Sequence, residues 1–339
     1  MKTLHLDLGE RGYDIFVGHG LLASAGELLS LDRKVFIVTD SGVPSEYAKK
    51  IAACAKESLI VTVNSGEGAK SLEVYGELLR KMIEFGLTRT DCAVAVGGGV
   101  VGDLTGYLCA SYMRGIDFYN VPTTLLSQVD SSIGGKTAIN HGGVKNIVGA
   151  FHQPKAVLID LDTLRSLPSR QISNGIAESI KMALTSDAEL FHILESSEEI
   201  SDDVIDEVVW RSLLIKKDVV EKDEHEAGLR KILNFGHTFG HAVEAELEMQ
   251  GLYHGECVAI GMLVTSSAPV LARLLPVLKK FNLPTEYNGN LDTALGFISH
   301  DKKCDGSKIS VIFVDEIGSY RTEKMPTDTF VSLVRDRIK

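Results

Sequence analysis

Apolar positions follow two rhythms along this chain. In the first half, short apolar runs alternate with segments of helical spacing. TLHLDL (3–8) and YDIFVG (13–18) are strand candidates that can pair with each other. KVFIVTD (34–40), SLIVTVN (58–64), DCAVAVGGG (91–99), YNVPTT (119–124) and KAVLIDL (155–161) supply further strands. Residues 44–56 and SLEVYGELLRKMIEFG (71–86) carry helical periodicity. Strands that are apolar on both faces and separated by helices imply a mostly parallel sheet with both faces covered.

From about Pro168 long helical patterns take over, across 171–195, 202–223, 236–249 and 255–281, with a final helix over 326–339. Only KISVIFV (308–314) reads as a later strand. The pattern predicts an α/β domain with a mostly parallel sheet over residues 1–165, followed by a mainly α-helical domain over 166–339. It contains no internal repeat and no low-complexity tract.

Composition narrows the function. Hydrophobic residues make up 44% of the 339 positions and charged residues 24%, a balance that fits a soluble globular chain. The formal charge of −11 offers no basic surface, so nucleic acid is not an expected partner. An anionic small substrate stays open, because local clusters govern a pocket and net charge does not. Cys54, Cys92, Cys109, Cys257 and Cys304 are odd in number and widely spaced. That fits reduced thiols in the cytoplasm better than disulfides or a zinc finger. MKTLHLDLGERG contains acids and no long apolar core, so it does not read as a signal peptide, and no apolar run reaches membrane-spanning length.

AVGGGVVGDLTGY (95–107) reads as a strand, three glycines and a helix start. Glycines at a parallel strand end let a diphosphate approach the backbone, and a helix N-terminus then offers free N–H groups. The spacing is not G-x-G-x-x-G at the first strand, and a plain structural turn is the alternative. Asp40 ends a strand, where a carboxylate can bind ribose hydroxyls. SGEGAKSLE (65–73) adds Glu67 and Lys70, and VPTTLLSQVD (121–130) adds Thr123 and Thr124. A G-x-x-x-x-G-K-[ST] loop is absent, which disfavours a nucleoside-triphosphate enzyme.

DSSIGGKTAINHGGVKNIVGAFHQP (130–154) reads as a long polar loop holding Asp130, Lys136, Lys145, Asn146 and His152. In NGIAESIKMAL (174–184), Glu178 and Lys181 share a helix face among apolar neighbours. A buried carboxylate needs a partner, either a metal or simply that lysine. Residues 215–241 add Lys216, Arg230, Asn234, His237 and His241. Thr238 follows His237, so H-E-x-x-H is missing and a zincin peptidase is disfavoured. One Glu and two His would form a catalytic zinc site with room for a substrate oxygen. Spacing does not choose between His241 and His254 as the second histidine.

GGGVVGDLTGY, VPTTLLSQVDSSIGGKTAIN, VKNIVGAFHQP, NGIAESIKMAL, DEHEAGLRKILNFGHTFGHA, HGE and DKK follow one another between residues 97 and 303. With TD (39–40) and GEGAKS (66–71), this ordered set closely resembles the 3-dehydroquinate synthase family. The resemblance implies an N-terminal NAD-binding domain and a C-terminal helical metal domain. It implies zinc, with cobalt as an alternative, on Glu178, His237 and His254, and His241 on the phosphate side of the pocket. NAD contacts would come from Asp40, Glu67, Lys70, Gly98, Gly99, Val100, Asp103, Thr123, Thr124 and Lys145. Asp130, Lys136, Lys145, Asn146, Lys181, Lys216, Arg230, Asn234 and one lysine of the DKK pair, assigned to Lys302, would bind substrate. Arg114 would reach the pocket of a neighbouring subunit in a homodimer. The implied reaction turns 3-deoxy-D-arabino-heptulosonate 7-phosphate into 3-dehydroquinate and phosphate. It proceeds by transient oxidation, elimination, reduction and aldol closure. The chain departs from the family at PSRQIS (168–173), where Gln171 is expected to alter a loop interaction, and at Pro269, expected to bend a helix.

Overall fold

The structure, a computed structural model, describes residues 1–226, 228–247, 251–300 and 308–338, with only the backbone at 299 and 300. The chain divides into two units, Met1–Pro168 and Ser169–Lys339.

The first unit is built on β1 (Lys2–Leu6), β2 (Tyr13–Gly18), α1 (Ala25–Leu28), β3 (Lys34–Asp40), α2 (Ser45–Ala52), β4 (Glu57–Val63), α3 (Leu72–Glu84), β5 (Cys92–Gly97), α4 (Gly99–Ser111), β6 (Asp117–Pro122), β7 (Lys136–His141), β8 (Val144–Phe151) and β9 (Ala156–Asp160). Seven strands form one sheet in the order β1-β2-β9-β6-β5-β3-β4. All neighbours pair in parallel except β1 and β2, which form the expected antiparallel pair. The side-chain period of two explains the apolar runs. Along β3, Val35 and Ile37 enter the core on one face while Phe36 and Val38 enter the core on the other. Burying each such side chain is worth roughly 1.5–3 kcal/mol. From β3 the chain moves out to β4, then crosses back past β3 to β5 and on to β6. The carboxyl ends of β3 and β5 therefore flank a topological switch point, where open α/β sheets bind ligands.

Residues 130–154 are not the expected loop. Residues 136–151 within this stretch form a separate two-stranded sheet of β7 and β8, turned at Gly142 and Gly143 with φ of +60° and +78°. Two left-handed residues match the twist of a hairpin, and glycine adopts them without a steric cost.

The second unit contains α5 (Ser169–Ser186), α6 (Ala188–Ser196), α7 (Asp202–Lys222), α8 (His237–Glu246), α9 (His254–Thr265), α10 (Ala268–Lys280), α11 (Leu291–His300), β10 (Lys308–Phe313), β11 (Arg321–Pro326) and α12 (Thr327–Arg337). Two expected helices are each split in two. Asp187 accepts hydrogen bonds from Glu189 N and Leu190 N and starts α6. Ser267 accepts from Val270 N and starts α10, with Pro269 in the first turn. A first-turn proline is tolerated because its missing N–H has no helical partner, so it bends nothing. Two further elements escaped the pattern, α11 and the strand β11, which pairs antiparallel with β10.

Helices α8 and α9 meet almost backbone to backbone. A Cβ on Gly261 would lie 1.8 Å from the carbonyl oxygen of Gly236, and one on Gly240 would lie 2.9 Å from that of Cys257. Every residue of α9 from Gly255 to Thr265 is buried. A helix apolar all round belongs inside a bundle, and α9 lies there. Among the described residues, no helix is long and apolar enough to cross a membrane. The four described cysteines, Cys54, Cys92, Cys109 and Cys257, are free thiols.

Candidate active site

In the first unit, the residues expected to meet a nucleotide gather at the carboxyl ends of the parallel strands. Asp40 ends β3, and its Oδ1 accepts from Gly42 N at 2.7 Å. Gly98 and Gly99 follow β5, and Val100 lies in the first turn of α4. Among the described residues, no side chain caps that helix. Its first N–H groups and the positive end of its dipole are thus left for an anion. A Cβ at Gly98 would meet Thr124 Cγ2 at 3.0 Å, and one at Gly99 would meet Ser131 Oγ at 2.8 Å. Thr123 N donates to Gly97 O at 2.9 Å, which ties the loop after β6 to the end of β5. These glycines keep the strand end open to a diphosphate and bring the two loops together, the fit that a dinucleotide requires.

A polar network joins the Glu67 loop to the hairpin. The buried Lys70 Nζ donates to Asp103 Oδ2 at 2.6 Å and to Asn146 Oδ1 at 2.5 Å. Burial pushes the Asp103 carboxyl up and Lys70 draws it partly back, leaving it at about 6. Asn140 was missed by sequence reasoning and lies at the centre of this network. Its Nδ2 donates to Glu67 Oε1 at 2.9 Å and its Oδ1 accepts from Asn146 N at 2.8 Å. That bond supports Asn146 at φ +54°. Lys145 and Asn146 thus lie near the start of β8, Asn146 in the Lys70 cluster, and Lys136 begins β7, exposed. Asp130 falls in a π-helical turn, Ser127–Ser131. His152 belongs to the packing instead: its ring stacks on Phe118, Nε2 meets Ile116 O at 2.9 Å, and burial lowers its pKa. Arg114 is exposed, and Met113, Arg114 and Gly115 all have positive φ.

In the second unit, Glu178 on α5 is fully buried. Its Oε2 accepts from Lys181 Nζ, so the ordinary Glu–Lys pair is present. Its Oε1 makes no hydrogen bond among the described residues. That oxygen faces His254 Nε2 at 3.5 Å and His237 Nε2 at 4.0 Å. His241 completes a group whose ring nitrogens can all lie within 4.8 Å of those of His237 and His254. Both histidine alternatives left open by spacing are therefore at hand, and the unpartnered carboxylate oxygen turns to His237 and His254. His237 is fixed by Nδ1 against Phe235 O at 3.1 Å, and His254 by Nδ1 against Glu244 Oε2 at 3.5 Å. Carboxylate and carbonyl partners of this kind hold a ligating imidazole with its other nitrogen turned inward.

Burial favours a neutral Glu178, yet Lys181 and the two imidazoles outweigh it and hold the carboxyl well below its usual range. Burial, then Lys181, drives His237 well below its ordinary value. For His254, the carboxylates of Glu178 and Glu244 outweigh burial and lift it to about 9. A fully buried, ionised carboxylate with one oxygen unpartnered beside two imidazoles is the donor set for a divalent cation. Lys181, Lys216 and Arg230 are buried cations of the same unit, and Asn234 Nδ2 donates to Glu226 Oε1 at 2.8 Å. Lys302 lies outside the described residues.

Known proteins resemble this chain over nearly its whole length. The family model for the 3-dehydroquinate synthase N-terminal region matches residues 60–174, and that for its C-terminal region matches 175–304. A 3-dehydroquinate synthase from Enterococcus faecalis is 42% identical, covering 96% of both chains. One from Caulobacter vibrioides is 40% identical over 94% of both. A 2-epi-5-epi-valiolone synthase from Streptomyces hygroscopicus, solved with NAD+ and Zn2+ bound, superposes with a TM-score of 0.86. It is 28% identical and covers 96% of each chain.

Proposed function

Since the chain belongs to the 3-dehydroquinate synthase family, we propose that it converts 3-deoxy-D-arabino-heptulosonate 7-phosphate into 3-dehydroquinate and phosphate. It is then a carbon–oxygen lyase of the shikimate pathway to the aromatic amino acids. The observation that carries the reading furthest is the orphaned Glu178 Oε1 beside His237 and His254.

Glu178, His237 and His254 would hold a divalent cation, zinc or cobalt. NAD would lie on Asp40, Glu67, Lys70, Gly98, Gly99, Val100, Asp103, Thr123, Thr124 and Lys145. When bound, the cation supplies Lewis-acid polarisation of substrate oxygens, and NAD supplies a hydride acceptor that is restored each turnover. Lys181 keeps Glu178 ionised by holding its other oxygen. Lys136, Lys145, Asn146, Lys216, Arg230, Asn234, His241 and Lys302 would bind the phosphate, carboxylate and hydroxyls of the substrate, with Asp130 as a further contact. A phosphate monoester carries close to two charges and many acceptor lone pairs, which is why its binding calls for several cations and amide donors. A simple alcohol dehydrogenase has no use for them.

Arg114 would serve the neighbouring subunit of a homodimer. Two successive non-glycine residues, Met113 and Arg114, sit at φ of +50° and +67°. Such backbone costs about 1 kcal/mol or more per residue, and a side chain that must be presented outward gives it a purpose. Strand β8 also exposes Val144, Ile147 and Phe151, apolar surface that a second copy can cover.

The direct test is release of inorganic phosphate from the heptulosonate phosphate by the purified protein supplied with NAD and zinc. The reading predicts turnover that stops when the metal is chelated and returns when zinc is restored. Absence of phosphate release from the metal- and NAD-loaded protein would contradict it.

A further inference from the structure

We infer that Arg170 and Asn174 are positioning residues for the cation: they hold His254 over Glu178 without touching the ion. The inference rests on the reading that Glu178, His237 and His254 are the ligands. Arg170, Asn174 and Glu178 stand at four-residue steps on α5, so they line one face of that helix. Their partners at the start of α9 come in the reverse order: Glu256, Gly255, His254.

Arg170 forks onto Glu256, donating from Nε to Oε1 and from Nη2 to Oε2, both at 2.7 Å. Nη2 also donates to Gly251 O, and the guanidinium lies 4.3 Å from the centroid of the Tyr253 ring. Glu256, buried, accepts from Tyr253 N at 2.7 Å through Oε2. Asn174 Oδ1 accepts from Gly255 N at 2.7 Å, while its Nδ2 donates to Gln171 Oε1 at 3.3 Å. The backbone is therefore held on both sides of His254, at 253 and at 255. A Cβ on residue 255 would lie 2.2 Å from Asn174 O, so only glycine lets α9 come this close. Gln171 has its place here too. It lies on α5 rather than in a loop, and it steadies the amide of Asn174.

The consequence follows from ligand geometry. Zinc–nitrogen bonds are about 2.0–2.1 Å long and tolerate a displacement of only a few tenths of an ångström. The ring of His254 can meet that demand only if the start of α9 is fixed relative to α5. Two side chains on the helix that carries Glu178 fix it, so one ligand sets the position of another. Partners of this kind change metal affinity about 10–100-fold when removed.

The test titrates metal-free protein with Co2+, following the visible d–d bands and competition with a chelator, and measures thermal unfolding of the metal-free form in parallel. Asn174→Ala and Arg170→Lys should each weaken Co2+ binding by about 10–100-fold. The band pattern should change, while metal-free stability falls far less. Asn174→Asp, which keeps an acceptor for Gly255 N–H, should regain most of the affinity, a rescue that loss of packing alone would not give. Wild-type affinity and bands in Asn174→Ala and Arg170→Lys would overturn the inference, as would an Asn174→Asp variant as weak as Asn174→Ala. Glu178→Ala separates the two levels. If it loses the ion while the positioning variants keep it, only the positioning inference fails; if it binds Co2+ as tightly as wild type, the ligand reading fails and takes the inference with it.

Discussion

Glu178 Oε1 lies 3.5 Å from His254 Nε2, in a carboxylate that is fully buried and, among the described residues, makes no hydrogen bond through that oxygen. Leaving a buried charged acceptor unmet costs more than a neutral group would. A divalent cation held by Glu178, His237 and His254 would remove that cost.

The two candidate partners of His237 should therefore separate on substitution. His254→Ala is expected to lose bound zinc, because it removes a nitrogen facing Glu178. His241→Ala is expected to keep wild-type zinc stoichiometry and to weaken binding of a phosphonate substrate analogue, since His241 is exposed. Elemental analysis and analogue titration of both variants check this. Zinc lost from His241→Ala and retained in His254→Ala would reverse the assignment.

Gly261→Ala should disturb the same site from a distance. Its methyl group would collide with Gly236 O, next to His237, and force α8 away from α9. Overpacking of this kind costs about 1–3 kcal/mol. Denaturant unfolding should show that loss, and metal analysis should show reduced zinc occupancy.

In the first unit, Lys70→Met should leave the Asp103 carboxylate without its cation. Breaking such a pair costs about 3 kcal/mol. The sign of the pH dependence follows from Asp103 standing at about 6 in the folded chain, above its ordinary 3.8. The folded state then holds the proton more tightly than the unfolded state. Stability from this group is full below pH 3.8 and falls as pH rises through 6. Removing Lys70 should raise Asp103 further and carry that fall to higher pH. Carboxyl titration by NMR, with unfolding curves at several pH values, measures both effects.

Much of the fold was legible because its strands are apolar on both faces. Val35 to Val38 leave little choice but a covered parallel strand. The β7–β8 hairpin was not legible, because most positions of β8 are exposed and it carries no apolar alternation. Its one local signal was the Gly142–Gly143 pair. Helix breaks at Asp187 and Ser267 were hidden by apolar spacing that runs through them, although both residues are ordinary N-caps. β11 was missed because RTEKMP is nearly all polar and largely exposed. For the metal group, spacing left both His241 and His254 open as the partner of His237. His254 joins the other two through the packing of α8 on α9 and the hold of Arg170 and Asn174, contacts remote in sequence. Only the resemblance brought His254 forward as a ligand.

Arg114→Ala bears on the homodimer. If each pocket borrows this side chain from its neighbour, the variant alone should be nearly inactive. Mixed with a His237→Ala variant, itself inactive, it should recover activity. In the mixed dimer, the pocket that keeps His237 receives Arg114 from its partner. Activity assays over a range of mixing ratios read this out, and an Arg114→Ala variant as active as wild type would contradict the role.

The most direct measurement follows phosphate and reduced nicotinamide together during turnover of the heptulosonate phosphate, with NAD far below the substrate concentration. A 3-dehydroquinate synthase should release phosphate equal to the substrate consumed, while the reduced-nicotinamide band stays flat. NADH rising in step with substrate loss, without phosphate, would contradict the account.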